Sequence, residues 1–213
     1  MSAALIPQPP REIAPGAVHL PGWLDLDTQR TLVAACREWA QPPAGLQRTR
    51  LPNGGVMSVQ SFCLGWHWEP YRYTRTAPDG AAVKPFPSWL GELGARAAGA
   101  AGFENYRPDI ALVNYYDADA RMGQHQDKEE RSPAPVVSFS LGDTCVFRFG
   151  NTENRGKPYT DVELESGDLF VFGGPARLAY HGVPRTRPGT GDPELGMQVG
   201  RLNITLRESG LTG

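Results

Sequence analysis

Hydrophobic and polar positions follow two different periods on either side of about Pro108. Behind Asp27, the residues Leu32, Val33, Cys36 and Trp39 fall at helical spacing. That pattern predicts a helix capped by the Asp27 carboxylate and stopped by Gln41-Pro42-Pro43. A second helix is predicted from Ser88, turning Leu90, Leu93, Ala97 and Ala101 inward, with alanines and glycines that permit close packing on a sheet. Between the helices, 56–59 and 71–73 read as short strands, with Asn53-Gly54-Gly55 as a turn. Beyond Pro108 the chain becomes strand-like, and strands are predicted at 110–116, 136–141, 145–149, 162–165, 169–172, 180–183 and 201–207. Turns at Gly142, Gly150, Gly167 and Gly173-Gly174 separate them, which predicts an α+β chain whose second half is a two-sheet jelly roll or barrel. Residues 1–22, rich in proline and glycine, read as irregular. The segment 23–106 reads as helical support and a lid, and 107–213 as the jelly-roll core, all within one compact domain.

Composition changes this picture little. With 213 residues, 40% hydrophobic and 21% charged, the chain can build a packed core and is not globally disordered. The net charge of −2 is unevenly spread: 47–84 holds Arg48, Arg50, Arg72, Arg75 and Lys84 against only Glu69 and Asp79. A basic zone on an acidic body is a possible electrostatic footprint for a polyanion. Cys36, Cys63 and Cys145 are odd in number and widely spaced, which speaks against a disulfide framework and for a reducing compartment. Residues 1–10 have neither a basic run nor a long apolar run, so no signal peptide is expected. No stretch has the length of a membrane span. The expectation is a cytoplasmic protein without a membrane partner.

The chemistry is concentrated in three segments. On a strand, 201–207 would place Arg201, Asn203, Thr205 and Arg207 on one face and Leu202, Ile204 and Leu206 on the other, a core face. Two guanidiniums aimed inward require an anionic guest, because an unpaired buried charge is very costly. His125 and Asp127, one residue apart on a strand, would point the same way and could chelate one ion, with His181 arriving from 56 residues further on. Two imidazoles and one carboxylate with positions left open suit non-haem Fe(II); zinc hydrolases usually bring a third nitrogen or sulfur ligand. Asn114 and Tyr116 share the parity to help Arg201 or Arg207 hold a far carboxylate, although ordinary sheet packing explains them equally well. Triad and dicarboxylate clamp together imply an iron- and 2-oxoglutarate-dependent dioxygenase.

Several segments then resemble one family. Asn114-Tyr115-Tyr116, His125-Gln126-Asp127-Lys128-Glu129-Glu130, Ser138-Phe139-Ser140-Leu141-Gly142, Tyr180-His181-Gly182 and the RxNxTxR run at 201–207 are similar to the AlkB family, and within it to the bacterial branch. Upstream, Met57-Ser58-Val59, Leu64-Gly65-Trp66 and Lys84-Pro85-Phe86-Pro87 resemble the same branch, so the similarity spans nearly the whole chain. The resemblance implies a double-stranded β-helix (jelly roll) with N-terminal helices and a β-hairpin nucleotide-recognition lid. It implies His125, Asp127 and His181 as iron ligands. It also implies Arg201 with Asn114 and Tyr116 on the distal carboxylate of 2-oxoglutarate, and Asn203 and Arg207 at the metal-proximal end, Arg207 also bracing Asp127. A base pocket of Trp66 and His125 is implied, with Glu129 and Glu130 nearby and Tyr71 or Tyr73, together with Arg155, on the strand or the rim. Two departures stand out: Glu129 occupies a position commonly held by Asp, and the stretch from Trp66 to Tyr71 is short.

The lid supports a nucleic-acid target on its own terms. Phe62, Trp66, Trp68, Tyr71, Tyr73, Phe86 and Trp89 are interleaved with Arg72, Arg75 and Lys84, and aromatics stack bases while basic side chains track phosphates. Phe86 and Trp89 are expected to pack the lid, and Trp66 to meet the base. The activity implied by the resemblance is oxidative demethylation of bases such as N1-methyladenine and N3-methylcytosine, with 2-oxoglutarate and O2 converted to succinate and CO2 and the methyl group leaving as formaldehyde. The partner would be alkylated DNA, single- or double-stranded, or RNA, and the protein a monomer. The alternatives are the same iron chemistry on tRNA or on a protein side chain, and a non-catalytic binder of damaged bases.

Overall fold

The computed structural model describes residues 8–197 and 199–211. Residues 1–7 of the segment expected to be irregular, Gln198 in the long loop before the last strand, and residues 212–213 lie outside the described residues. Strands β1 (Arg11–Ala14) and β2 (Ala17–Leu20) open the fold, followed by helix α1 (Leu26–Trp39), strands β3 (Gln47–Arg50), β4 (Val56–Leu64), β5 (His67–Glu69) and β6 (Arg72–Thr74), and helix α2 (Ser88–Ala100). The remaining strands are β7 (Ile110–Tyr116), β8 (Met122–His125), β9 (Val136–Gly142), β10 (Cys145–Phe149), β11 (Thr160–Leu164), β12 (Leu169–Phe172), β13 (His181–Thr186) and β14 (Arg201–Arg207). A large sheet runs β1-β2-β12-β9-β14-β7-β4-β3 and a small one β11-β10-β13-β8, while β5-β6 stands as a separate hairpin. From β7 onward the chain passes repeatedly between the two sheets, giving the double-stranded β-helix.

Both faces of the large sheet are covered. Leu32, Val33 and Cys36 of α1 and Leu90, Leu93 and Ala97 of α2 pack on Phe62, Val113, Phe139, Leu141, Ile204 and Leu206. The other face meets the small sheet through an aromatic cluster of Phe147, Phe149, Phe170 and Phe172. The Leu202, Ile204 and Leu206 face is therefore the helix side, and the polar face of β14 looks between the sheets. The central strands β9 and β14 are buried along their whole length, as expected for strands with a layer on each side.

Three local expectations are corrected. Within 1–22, β1 and β2 form a hairpin whose second strand pairs with β12. Pro15-Gly16 and Pro21-Gly22 form its turns: Gly16 adopts φ +81, and Gly22, at φ +59, donates its N–H to Asp168 Oδ1 at 2.8 Å. Helix α1 is capped by Asp25, not Asp27, because the cap carboxylate must reach the N–H three residues on; Asp25 Oδ1 accepts from Thr28 N at 2.8 Å. Strand β4 continues five residues past Val59, since Ser61 faces the central cavity, where a polar side chain is tolerated.

Asp143, in the β9–β10 turn, anchors the loop that delivers β14. Its buried carboxylate accepts from Thr190 N and Gly191 N at 3.0 Å and from Gly200 N at 2.8 Å. Asp143→Ala leaves three amides without this acceptor and is expected to lower the free energy of unfolding by about 3 kcal/mol. Urea titration measures this, and an unchanged midpoint would show that the loop holds itself.

Candidate active site

The triad is assembled by strand pairing and then by charge. His125 and His181 are directly opposite in the β8–β13 ladder, with ring centroids 4.5 Å apart. Each ring presents Nδ1 to a main-chain carbonyl, Gly123 O for His125 and Ala179 O for His181, both at 3.0 Å. A carbonyl can only accept, so Nδ1 carries a proton and Nε2 is the nitrogen turned toward Asp127. Both Nε2 atoms lie 3.6 Å from Asp127, one from each carboxylate oxygen, and the three ligand atoms fall within 4.8 Å of one another. This donor set fits a divalent ion with positions left open. Strand β8 ends at His125, so alternation does not aim Asp127 as the sequence had implied. Arg177 does so instead, donating from Nη1 to the main-chain oxygen of Asp127 at 2.6 Å.

Behind the triad lies a buried cluster of two carboxylates and two guanidiniums. Arg207 places Nη2 2.8 Å from Asp127 Oδ2 and Nη1 3.0 Å from Glu130 Oε1. Arg177 Nη2 lies 2.8 Å from Glu130 Oε2. The Tyr73 hydroxyl joins the cluster, donating to Glu130 and accepting from Arg207 Nη1 at 2.8 Å. Burial alone would raise the Asp127 carboxyl, but Arg207, then His181, His125 and Arg177, hold it below the ordinary carboxylate range. Glu130 is likewise lowered, with Arg207 overcoming burial. Burial, and then the neighbouring His125, lower His181 to about 4, so it is a neutral imidazole ready to ligate.

The far end of β14 carries unsatisfied donors. Arg201 is 1% exposed, and Nη2 donates to Ser140 Oγ at 3.0 Å, while Nε and Nη1 have no partner. Its guanidinium carbon lies 5.2 Å from the centre of the Tyr116 ring. Asn203 pairs in register with Asn114, their amides 3.5 Å apart, and Asn203 Oδ1 accepts from Thr205 Oγ1 at 3.0 Å. Arg207 Nε is also without a partner. A buried cation with two idle donors fits an absent anion, and a guanidinium fork matches a carboxylate. The residues present fit 2-oxoglutarate.

These groups line one cavity of about 490 Å³, which also reaches Trp68, Tyr71, Glu129 and Arg155. Three residues expected to meet the substrate do not line it. Trp66 sits on the outside of the lid, its ring covered by the Arg75 guanidinium at 3.6 Å and facing a separate shallow hollow. Gly65, at φ +78, turns the chain before β5, so Trp66 escapes the alternation that carries Trp68 inward. The Glu130 side chain is fully buried by its ion pairs, and the Tyr73 hydroxyl is spent in the same cluster. Trp68, which lines the cavity, and Arg177, which joins the buried cluster, were not among the site residues expected from the sequence. Trp68 was visible as an aromatic two positions from the chosen one, whereas nothing in the local sequence marks Arg177.

Fold and site define a class, the Fe(II)- and 2-oxoglutarate-dependent dioxygenases, and the family model of the 2OG-Fe(II) oxygenase superfamily matches residues 16–207. An alpha-ketoglutarate-dependent dioxygenase AlkB homolog of Caulobacter vibrioides is 41% identical over 94% of this chain and 90% of its own. The DNA N(6)-methyladenine demethylase ALKBH1C of Arabidopsis thaliana is 32% identical over 92% of this chain but 49% of its own, so the chain spans about half of that relative. The solved structure of OsALKBH1 superposes with a TM-score of 0.84 at 35% identity, covering 94% of this chain and 100% of that one. The chain belongs to the AlkB family. Among the described residues no helix is long and apolar enough to cross a membrane.

Two outcomes are expected. An unfolded histidine titrates near 6.5 and folded His181 near 4, so between these values the unfolded chain binds a proton that the folded chain refuses. Stability of the metal-free protein therefore rises with pH across that window, while Asp127, ionised throughout it, adds slope only at lower pH. Urea titrations at about pH 5 and about pH 7 read this, and His181→Gln should flatten the difference. Arg201→Ala should raise the 2-oxoglutarate KM more than tenfold by order of magnitude while Mn(II) affinity holds; an unaltered KM rejects the clamp.

Proposed function

We propose that this protein removes N-alkyl groups from nucleic-acid bases, N1-methyladenine and N3-methylcytosine in DNA first among them, with RNA as a second substrate. The observation that carries this reading is the wall of the cavity beyond the triad, where Trp68 and the Glu129 carboxylate share one opening with Tyr71 and Arg155. Both bases are cations, and an aromatic face beside a carboxylate suits a flat cation. Arg155 and Tyr71 at the rim suit the phosphate and sugar of the strand. The relatives' names point the same way, including the nucleic acid dioxygenase ALKBH1 of Homo sapiens, 33% identical over 65% of this chain.

Bound Fe(II), with 2-oxoglutarate and O2, supplies the oxidising power to hydroxylate the alkyl carbon; the hydroxymethyl base then releases formaldehyde. The chain's own part is placement. Nδ1 contacts fix the two imidazoles, Arg207 and Arg177 fix Asp127, and the idle donors of Arg201 receive the co-substrate. The base must leave its stack to reach a site this deep, and a base that cannot pair costs less to extrude. Triad and clamp come from one chain, which supports a monomer, and three free buried cysteines support the reducing cytoplasm.

The test incubates the protein with Fe(II), 2-oxoglutarate and ascorbate and a panel of DNA and RNA oligonucleotides carrying N1-methyladenine, N3-methylcytosine or N6-methyladenine, read by mass. Loss of the methyl from the cationic bases is expected. Succinate formation without demethylation of any oligonucleotide overturns the reading, and preference for N6-methyladenine would shift it to the substrate in the Arabidopsis relatives' names. Trp68→Ala should raise the oligonucleotide KM about tenfold and Trp66→Ala much less. The reverse ranking would show that the lid turns its other face inward.

A further inference from the structure

The hairpin β5–β6 has no ladder to either main sheet. A two-stranded hairpin is marginal alone; its main chain gives the large sheet one hydrogen bond, Trp68 N to Cys63 Sγ at 3.4 Å, and the rest of its seat depends on side chains. Among the described residues, Tyr73 is the one side chain of β5 or β6 that hydrogen-bonds into the jelly roll. Tyr73 is paired directly with Trp68 across the hairpin, so the face that presents the cavity's aromatic wall is the face that Tyr73 pins. The pin ends on Arg207, the guanidinium that also touches Asp127.

We propose that Tyr73 is a positioning residue that couples the seating of the lid to the orientation of the metal-binding carboxylate. A guanidinium is planar and rigid, so holding Nη1 at the Tyr73 hydroxyl directs Nη2 to Asp127 Oδ2. Glu130 Oε1 accepts hydrogen bonds from the Tyr73 hydroxyl and from the same Nη1, which locks the angle of the fork. With the lid lifted, Arg207 loses one of its two Nη1 partners and Asp127 loses a fixed brace. The coupling runs in both directions: an ion that fixes Asp127 also favours the seated lid. Base recognition and iron binding are thereby joined through two side chains. The resemblance implied Tyr71 or Tyr73 on the nucleic-acid strand or the pocket rim; the Tyr73 hydroxyl is bonded to Glu130 and Arg207 behind the triad. The inference rests on the lid and the metal site alone and stands whichever base is the substrate.

The test uses the whole chain and Mn(II) as a redox-stable ion, with no oligonucleotide. Tyr73→Phe keeps the ring and removes the hydroxyl. Calorimetry should show Mn(II) affinity weakened about tenfold, the lower end for groups that orient a ligand from outside. Amide hydrogen exchange in 67–74 should slow on Mn(II) binding in the natural chain and not respond in Tyr73→Phe. A merely structural role would alter the baseline exchange without removing the response to metal. If the phenylalanine unseats the hairpin altogether, the loss of affinity is still required. Natural affinity in Tyr73→Phe, or hairpin exchange indifferent to Mn(II) in the natural chain, overturns the proposal. Arg72→Ala, on the opposite face of β6, should leave both readouts unchanged, and an equal loss there overturns it too.

Discussion

The contact between Arg207 and Asp127 is the constraint on which the rest of the site depends. Both side chains are about 4% exposed, and a lone ion at that depth is unstable by several kcal/mol. Asp127 must stay ionised to ligate, yet burial opposes its charge. Arg207 resolves that conflict and creates another, since its own charge exceeds what Asp127 balances once a divalent ion is bound. Glu130 supplies the second carboxylate and Arg177 the second cation, so the cluster is neutral before any ligand arrives. Removing any one member leaves one unit of buried charge unbalanced among the remaining three.

The large sheet makes such a cluster possible. Its outer face is sealed by two helices, so the inner face is free to carry a polar lane from Arg201 through Asn203 and Thr205 to Arg207. The lane is graded. At one end Arg207 is paired with two protein carboxylates, and at the other Arg201 is paired with none and keeps two idle donors. The first end belongs to the protein and the second to a guest. A dianion held at Arg201 and reaching toward the triad would span that gradient.

Much of this was legible in the sequence, for identifiable reasons. The strands 110–116, 145–149, 169–172 and 201–207 were read with their observed bounds, because glycine turns and β-branched or aromatic runs delimit them. The triad was legible because histidine is scarce and the chemistry restricts the residue types. The lid was not, since choosing between Trp66 and Trp68 requires knowing that Gly65 adopts a positive φ. Glu130 was misplaced for a related reason: an acid beside Glu129 looks like its twin, and only the fold shows that one side chain meets the cavity while the other meets Arg177. Arg177 joins the cluster through contacts 47 and 50 residues distant in sequence, which no local pattern encodes.

One strand therefore carries two specifications at once. Period two makes them inseparable: a slip of β14 by one residue would turn Leu202, Ile204 and Leu206 toward the cavity and both arginines into the helices. The Leu202, Ile204 and Leu206 face cannot tolerate that, because it shares one apolar core with α1, α2, Phe139 and Val113. Ladders on both sides hold the same register, Arg201 opposite Tyr116 on one flank and Gly142 on the other. The apolar packing that any sheet needs is thus also what aims the arginines. Chemical precision at the metal is, in this fold, inherited from the packing of residues that never touch it.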